Sequence, residues 1–565
     1  MIALTRSVDL RIDRAHRRVI LGSSLGTLFE WYDFFLYGSL ATTISKQFFA
    51  GVNETTGFIF ALLTFAAGFA VRPLGAVIFG SLGDRVGRKK TFLATIVLMG
   101  SATALVGLLP TYAMAGVAAP IALVGLRMLQ GLALGGEYGG AAIYVAEHAP
   151  ANRCGLYTSW IQTTATLGLL LSLLVILLCR AALGSAFESW GWRIPFLVSV
   201  ALLGLSIYIR LQLAESPVFE AMVAEGTRSE APLLESFSRW HNLRLILLAL
   251  FGATAGMTVI FYCSQFYALF FLTQVLKVDA QPANLLVAGA LAIGAPCYLV
   301  FGALSDRVGR KKVVVLGCVL AAATYFAIFH GITHFANPAL ESASQHAPVT
   351  VLADTRGCSF QFDPLGQKRF AHSCDIAKSA LARAGVPYLI QAEAPGTVAT
   401  VRVRGARDAL IRSFEAERMS SGEFTRASAT FAAVLGTALR QAGYPSRADP
   451  ARINYPMVLL LLVLLVVYVT IAYSPVAAWL VELFPPRIRY TAMSVPYHLG
   501  VGWIGGLLPT FAFSIVAITG DIYSGLWYPV LVALSSALVG ALFLPDVRRS
   551  ARQQEVVDAS APGAS

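Results

Sequence analysis

The chain has 565 residues, of which 56% are hydrophobic and only 13% are charged, whereas a soluble domain carries about 25% charged residues. Apolar runs of about 18 residues or more recur along it, which excludes a single soluble core and indicates many membrane-spanning helices. The formal net charge of +12 would suit a nucleic-acid partner, but the Lys and Arg residues concentrate in short segments between apolar runs. That placement is typical of the cytoplasmic loops of membrane proteins and speaks against nucleic acid.

The first predicted helix covers 19–42 and follows a basic tail. It is too long for the apolar core of a signal peptide and no cleavage site follows, so we expect an uncleaved helix with a cytoplasmic N-terminus. Five more spans complete a first half, 1–213. They lie near 57–80, 91–110, 115–146, 157–180 and 193–213.

The polar, Glu-rich segment 214–243 predicts a cytoplasmic linker to a second half. Three spans fall within 244–333 and three within 455–546, followed by a polar cytoplasmic tail at 547–565. Short segments on the predicted cytoplasmic side hold about 21 Lys and Arg residues, against about four on the other side. We therefore predict an all-α integral protein of the cell inner membrane, with twelve transmembrane helices in two six-helix halves and both termini cytoplasmic.

The segment 334–454 is polar and interrupts the second half between helices nine and ten. Strand-like patterns occur at 349–354 and 397–403, and helical apolar spacing at 374–384 and 423–443. Its content of Val, Leu, Ile and Phe favours a folded domain over a disordered loop, the alternative. We predict an inserted α+β domain outside the cytoplasm, in the periplasm.

Cys358 and Cys374 both lie in this insertion, and the other five cysteines lie in or beside predicted helices. In an oxidising compartment the two would form a disulfide. The alternative is metal binding with His372, for which a fourth ligand at usual spacing is absent from the sequence. We predict the disulfide and no metal site.

One stretch of the chain is repeated. GSLGDRVGRKK at 80–90 returns as GALSDRVGRKK at 302–312, identical at nine of eleven positions. Each copy joins two apolar runs, so each predicts a short basic loop between membrane helices. Repetition in the same hydropathy context indicates duplicated, parallel halves, an architecture known in transporters.

GSLGDRVGRKK resembles the loop signature of the major facilitator superfamily, and RMLQGLALGGEYGGA at 127–141 resembles its fourth-helix motif. With LFEWYDFFLYG, AVRPLGA, AESPVFE and ELFPPRIRYTAMS, the set is similar to the metabolite:proton symporter family, which includes permeases for α-ketoglutarate, citrate, shikimate and proline/betaine. The resemblance covers the chain outside 334–454. It implies the major facilitator fold and proton-coupled transport.

The resemblance also implies a role for the repeated loops, as a charged cytoplasmic latch that holds the outward-facing state and releases as the halves rock. The carboxylates would accept hydrogen bonds from Arg or from helix-terminal N–H groups. The Lys residues of both copies are better explained as topology anchors. The gating residues expected are Gly80, Asp84, Arg85, Gly87, Arg88, Asp306, Arg307, Gly309 and Arg310.

Ionisable side chains inside a membrane are costly and are therefore candidates for function. Glu30 lies about twelve residues into the first helix, about 18 Å deep at 1.5 Å per residue. Glu30, Asp33 and Tyr37 are spaced three and four apart and share one face. A buried carboxylate can change protonation as its surroundings open and close. We expect Glu30, Asp33 and, on the fourth helix, Glu137 to couple transport to protons.

Arg72 on the second helix and Arg127 on the fourth lie at membrane depth. A guanidinium grips a carboxylate with two parallel hydrogen bonds and stays charged. We expect an anionic or zwitterionic solute there; the alternative is a structural Arg–carboxylate network. In the second half the sequence offers polar atoms and no comparable charge. His498 is more simply explained as a packed or hydrogen-bonded helix histidine, and the alternative is that it faces the cavity. The expected solute-binding residues are Arg72, Arg127, Tyr37, Gln130, Gln162, Tyr262, Gln265 and Tyr497.

No catalytic triad, phosphate-binding loop or dinucleotide motif is present, so we expect no enzyme and no cofactor other than the proton gradient. The sequence predicts a monomer in the lipid bilayer that carries a small organic anion (a mono-, di- or tricarboxylate) or a zwitterionic solute together with H⁺ by alternating access. An exporter or exchanger on the same fold is the alternative. A transporter-like sensor that uses the insertion is a third possibility.

Overall fold

The computed structural model describes residues 14–50, 54–150, 152–212, 215–358, 370–405 and 408–545. The chain is mostly helical, because long apolar segments satisfy their backbone hydrogen bonds internally as helices. Glu30 lies on the first helix, but its side chain is outside the described part. The helices of the first half are α1 (Arg14–Ser39), α2 (Glu54–Val86), α3 (Arg88–Leu108), α4 (Ala118–His148), α5 (Cys154–Leu183) and α6 (Arg193–Leu211).

Two short helices, Pro217–Ala224 and Pro232–Ser238, form the linker between the halves. Both begin with proline, which is well tolerated at the first helical position. The next three helices are α7 (Trp240–Val275), α8 (Ala280–Val308) and α9 (Arg310–Ala336). After the insertion come α13 (Tyr455–Leu483), α14 (Arg489–Thr519) and α15 (Ser524–Phe543). Within α7 and α14 the helix widens locally to π-helical turns.

Ten helices in the described part of the chain are long and apolar enough to cross a bilayer: α3 to α9 and α13 to α15. The helices α1 and α2 span 26 and 33 residues. The observed ends lie within a few residues of the predicted ones, because hydropathy changes sharply where a span meets its polar connection.

The repeated motifs form shorter turns than the predicted loops. Asp84 still belongs to the last turn of α2, and only Gly87 separates α2 from α3. Gly87 has φ of 125° and its counterpart Gly309 has φ of 104°. Side chains rarely tolerate such values, so these two positions favour glycine.

In its described residues, 334–358, 370–405 and 408–454, the insertion has three α-helices and one four-stranded sheet. The helices are α10 (Pro338–His346), α11 (Ser373–Ala384) and α12 (Ser421–Gln441), and the strands are β1 (Val349–Ala353), β2 (Tyr388–Ala392), β3 (Thr400–Val403) and β4 (Ala409–Arg412). The strand order is β2-β1-β3-β4, with β1 parallel to β2 and the other two pairs antiparallel. The patterns at 349–354 and 397–403 correspond to β1 and β3. The short edge strands β2 and β4 escaped the sequence prediction.

Cys358 and Cys374 are joined by a disulfide with Cα atoms 5.5 Å apart. This bond occupies both sulfurs, which removes the alternative of a metal site with His372. Asp354, at the end of β1, accepts hydrogen bonds from the side chain of Arg356 and from the backbone N–H of Gly396. These hydrogen bonds lower the pKa of Asp354 to about 2, and the bond from the Arg356 side chain has the largest effect.

The insertion packs against the second half. The backbone N–H of Tyr388 on β2 donates to the carbonyl of Gly520 at 2.9 Å, just after α14. Lys277 donates to the carbonyl of Arg383 at 2.6 Å, and Asn337 donates to the carbonyl of Leu276 at 2.9 Å. These bonds tie the insertion to the ends of α7 and α14 on one side of the helix bundle.

Candidate functional site

The first copy of the repeated motif caps a helix of the opposite half. The carboxylate of Asp84 accepts hydrogen bonds from the backbone N–H groups of Tyr490 and Thr491 at 3.1 and 2.9 Å, and from the Thr491 hydroxyl at 2.8 Å. These are the second and third residues of α14, whose first N–H groups have no partner within the helix. Arg88 binds the same carboxylate at 2.9 Å, and both side chains are fully buried.

The second copy of the motif, in the second half, caps a helix of the first half. Asp306 accepts from the backbone N–H groups of Gly155 and Leu156, both at 2.8 Å, which are the second and third residues of α5. Arg310 binds Asp306 at 2.7 Å, as Arg88 binds Asp84. Each half therefore holds a helix N-terminus of the other half with an aspartate, where the helix dipole favours a negative charge.

Further contacts close the same end of the molecule. Arg88 donates to the carbonyl of Pro486 at 2.7 Å, and Arg489 pairs with Glu147 at 2.7 Å. Both contacts join the two halves. Glu215 accepts from the backbone N–H groups that begin α3, at 3.1 Å. We name this cross-half set the latch: Asp84, Arg88, Glu147, Asp306, Arg489 and the backbone groups that they bind.

The other gating residues of the prediction lie around the latch. Gly80 faces α14 closely, because a Cβ atom there would lie 2.9 Å from the Cα atom of Thr491. Arg85 and Arg307 are exposed. Sequence reasoning did not select Glu147, although an acidic residue at a helix end between basic loops is a usable signal.

A cavity lies between the halves, and Arg72 contributes its charge to it. Arg72 is 4% exposed, and its guanidinium lies over the ring of Phe69 at 4.3 Å. The other lining residues are mostly aromatic and apolar: Trp31 and Phe35 of the first half, and Met257, Thr258, Phe261, Tyr262, Phe266, Tyr473 and Val501 of the second. The free space is about 10 Å³ in this state, about the room for one water molecule, and Arg72 is the cation in its wall.

Asp33 lies beside this cavity, inside the first half. It is 5% exposed and accepts a hydrogen bond from the Ser199 hydroxyl of α6 at 2.5 Å. Thr103 of α3 is also in hydrogen-bonding contact with it. The same Thr103 hydroxyl accepts from Gln130 at 2.7 Å, and Gln130 accepts from Arg127 at 2.6 Å. A continuous polar chain thus runs from Asp33 on α1 through Thr103 on α3 to Gln130 and Arg127 on α4.

Tyr37 lies next to this chain. The Arg127 guanidinium lies 4.2 Å from the centre of the Tyr37 ring, and the Tyr37 hydroxyl donates to the carbonyl of Ala61. Arg127, Gln130 and Tyr37, which the sequence predicts to bind solute, are therefore packed within the first half. They are not among the residues that line the cavity.

Glu137 lies on α4 like Arg127 and Gln130, but it does not belong to their hydrogen-bonded chain. Its carboxylate pairs with Arg210 of α6 at 2.5 Å, and both side chains are 1% exposed. The Arg210 guanidinium also lies over the ring of Phe92 and donates to its carbonyl at 2.9 Å. Arg210 was not selected from the sequence, because it lies near the end of an apolar run, where a basic residue is typical of a membrane anchor.

Tyrosines join the two halves near the cavity. The rings of Tyr138 on α4 and Tyr497 on α14 stack at 3.7 Å. The Tyr497 hydroxyl hydrogen-bonds with that of Tyr473, and Gln162 donates to the Tyr138 hydroxyl at 2.6 Å. Gln265 is buried on α7, one turn after the lining residue Tyr262. Among the described residues, no cluster of three or more His, Cys, Asp and Glu side chains is arranged to hold a metal ion.

The sequence is similar to those of known transport proteins. The family model "Sugar (and other) transporter" matches residues 19–235. The shikimate transporter of Escherichia coli K12 is 39% identical over 327 residues, which are 57% of this chain and 73% of that protein. The proline/betaine transporter of the same organism is 36% identical over 325 residues, 56% of this chain and 64% of that protein.

Solved structures share the fold. The proton:xylose symporter XylE bound to 6-bromo-6-deoxy-D-glucose superimposes with a TM-score of 0.57 at 16% identity, covering 95% of this chain and 98% of that one. The partially occluded inward-open XylE of E. coli gives 0.53 at the same identity, covering 95% of this chain and 99% of that one.

Two halves that exchange helix caps around a central charged cavity define a multi-pass membrane transporter, not an enzyme. The chain belongs to the major facilitator superfamily and, within it, to the metabolite:proton symporter family. The resemblance noted in its motifs is thereby confirmed.

Proposed function

We propose that the protein is a secondary active transporter that carries a small organic carboxylate or a zwitterionic solute together with H⁺ by alternating access. The observation that carries this proposal is Arg72, a buried guanidinium at the wall of a cavity between the halves. A guanidinium in that position can offer a carboxylate two parallel N–H donors. The transported substrates named for the relatives, shikimate and proline/betaine, both carry a carboxylate.

Asp33 is the proposed proton carrier. It is buried, its hydroxyl partners Ser199 and Thr103 can accommodate either protonation state, and a polar chain links it to Arg127. Glu137 is less suited, because its carboxylate is already bound in a buried ion pair with Arg210. Glu30 stays a candidate from the sequence alone.

The proposed topology has twelve transmembrane helices: the ten apolar helices together with α1 and α2. The excess of Lys and Arg in the connections near the latch supports a cytoplasmic position for the latch. The termini would then be cytoplasmic, in the cell inner membrane. The insertion would lie in the periplasm, where a disulfide between Cys358 and Cys374 is chemically favoured. We propose a monomer, since each half finds its partner within the same chain.

With the latch closed, the cavity would open to the periplasm, so the described state corresponds to an outward-facing or occluded step of the cycle. An aspartate cap can release its helix N-terminus as the halves rock, because the exposed N–H groups and carboxylate are then hydrated by water. Solute would enter from the periplasm and leave after the latch opens.

The test is uptake into proteoliposomes of purified protein, with shikimate, proline, glycine betaine, α-ketoglutarate and citrate as a panel. Accumulation that requires an inward proton gradient, for at least one carboxylate, is the expected result. Counterflow of preloaded solute without any dependence on the gradient would support the exchanger instead. If no member of the panel binds or moves, the carboxylate transporter is wrong and a sensor that uses the insertion becomes the better explanation.

A further inference from the structure

His498 lies on α14 near the centre of the molecule, and it is 2% exposed. Neither of its ring nitrogens makes a hydrogen bond with any described protein atom. His148, His330 and His346 use Nδ1 to contact a backbone carbonyl within their own helix, and His334 uses Nδ1 to contact the carboxylate of Glu341. His498 does not use this local partner.

A buried polar group without a partner loses its hydration and gains nothing in exchange, at a cost of about 1–3 kcal/mol. A purely packed position of this kind is better filled by an aromatic or aliphatic side chain. Of the two roles predicted from the sequence, a packed or a hydrogen-bonded helix histidine, the structure shows the packing and no hydrogen bond. A group that meets the ring only part of the time, as a transported solute does, accounts for both unpartnered nitrogens.

One residue near His498 on α14 lines the cavity, although His498 itself does not. Val501, three residues later and on the same side of α14, lines it. The ring of Tyr497 meets that of His498 edge to face at 5.0 Å. Arg72, which supplies the charge of the cavity, lies close enough to interact electrostatically with His498, Tyr497 and Tyr262.

We propose that His498 is a specificity-determining residue that hydrogen-bonds a hydroxyl group of the solute, so that the transporter selects hydroxylated organic carboxylates. This inference rests on the proposed function, since it assumes that Arg72 binds the carboxylate of the same molecule. Arg72 belongs to the first half and His498 to the second. One solute that binds both would connect the halves across the cavity.

The chemistry of imidazole favours a hydroxyl group over other polar groups. The neutral ring presents one N–H donor and one acceptor nitrogen, and a hydroxyl group can both donate and accept. Either tautomer therefore finds a complementary atom on a hydroxyl. A quaternary ammonium, as in glycine betaine, has no hydrogen to donate and no lone pair to offer. A second carboxylate could only accept.

The experiment compares matched pairs of solutes that differ in hydroxyl groups: shikimate with cyclohex-1-ene-1-carboxylate, malate with succinate, and lactate with propionate. Affinity is measured by calorimetry on purified full-length protein, for the wild type, His498→Phe and His498→Leu. His330→Phe is the matched control. It makes the same chemical change at an exposed histidine on α9 that does not line the cavity.

In the wild type and the His330→Phe control, we expect at least one hydroxylated member to bind more than about tenfold tighter than its partner. A site built to hydrogen-bond a hydroxyl group discriminates strongly against the analogue that lacks it. In His498→Phe and His498→Leu that ratio should fall to about twofold or less. Both variants should melt at the wild-type temperature or above, because they remove a buried polar group without a partner.

Three results would overturn the inference: an unchanged ratio in both variants, no preference for hydroxylated members in the wild type, or a loss of thermal stability with the ratio retained. The last result would mean that His498 has a structural role, for example as the holder of a buried water molecule. In all three cases binding of the unhydroxylated carboxylates would leave the proposed carboxylate transport intact. Absence of any carboxylate binding would instead contradict the proposed function itself.

Discussion

At the scale of single residues, Asp33 has the environment that a proton carrier requires. Among the described residues, its hydrogen-bond partners are the hydroxyl groups of Ser199 and Thr103. We expect Asp33→Asn to lower gradient-driven accumulation by at least about tenfold, because the amide keeps the shape but cannot release a proton. Exchange of preloaded solute should persist. Uptake with and without a proton gradient measures both, and Asp279→Asn, an exposed aspartate, is the control.

Wild-type accumulation and pH dependence in Asp33→Asn would place the coupling group elsewhere. Glu30→Gln is then the next variant, and Glu137→Gln the one after it. Glu137→Gln should act mainly on stability, because it leaves the buried Arg210 without its counter-charge, at a cost of about 3–5 kcal/mol.

Arg72 provides the second residue-scale prediction. If its guanidinium grips a carboxylate, Arg72→Lys should weaken affinity by about thirty-fold to several-thousand-fold, or about 2–5 kcal/mol, since lysine lacks the planar fork. Binding to purified, folded Arg72→Lys and Arg72→Gln is the measurement. If Arg72 has only a structural role, both variants should have a lower thermal stability and bind the solute with unchanged affinity. That outcome would remove Arg72 from the site.

At the scale of elements, each repeated motif acts as the N-terminal cap of a helix in the other half. Asp84→Asn removes the charge that both Arg88 and the N-terminus of α14 use. We expect the latch to open, because the outward-facing state loses interactions that the inward-facing state does not make. Spin labels at Val86→Cys and Val308→Cys, exposed at the two motifs, should move apart in the absence of solute.

Asp306→Asn should shift the same distance in the same direction, because Asp306 caps α5 as Asp84 caps α14. An unchanged distance distribution in both variants would mean that these caps only stabilise the fold. Unequal responses would show that the two halves contribute differently to closure.

The insertion is the other element with its own prediction. Its disulfide closes a loop of about 15 residues, for which loss of the cross-link costs about 3 kcal/mol in the chain-entropy description. Cys358→Ser or reduction should therefore lower the melting temperature of the insertion. The transport rate should change less, since the bonds of Tyr388 and Lys277 to the bundle remain. Electrophoresis with and without reductant checks that the bond forms in cells.

At the scale of the whole molecule, the prediction concerns orientation and rigid-body motion. Gly396, at an exposed turn of the insertion, should react as Gly396→Cys with a membrane-impermeant thiol reagent in intact cells. Reaction only after lysis would invert the proposed topology. Because the insertion is bonded to the ends of α7 and α14, it should also move with the second half when solute binds.

Much of this architecture follows from the sequence alone. Hydropathy determines the spans, because a bilayer penalises polar backbone and side chains over a fixed thickness. The repeat at 80–90 and 302–312 reveals the two halves, and the polar interval 334–454 reveals the insertion. Each of these signals is local or periodic. The short strands β2 and β4 carry too few residues for a periodic signal and were missed.

Only the tertiary structure decided which groups meet. Asp84 accepts a hydrogen bond from the backbone of Tyr490 on α14, 406 positions away in the chain. Glu137 forms its ion pair with Arg210 and not with Arg127. No periodicity encodes such pairs, because they depend on how helices from distant segments rotate and approach each other. The same holds for His498. Only the packed structure shows that its two ring nitrogens are buried without a hydrogen-bond partner. Sequence thus determined which segments are apolar enough to enter a membrane, and packing determined which of their polar groups meet.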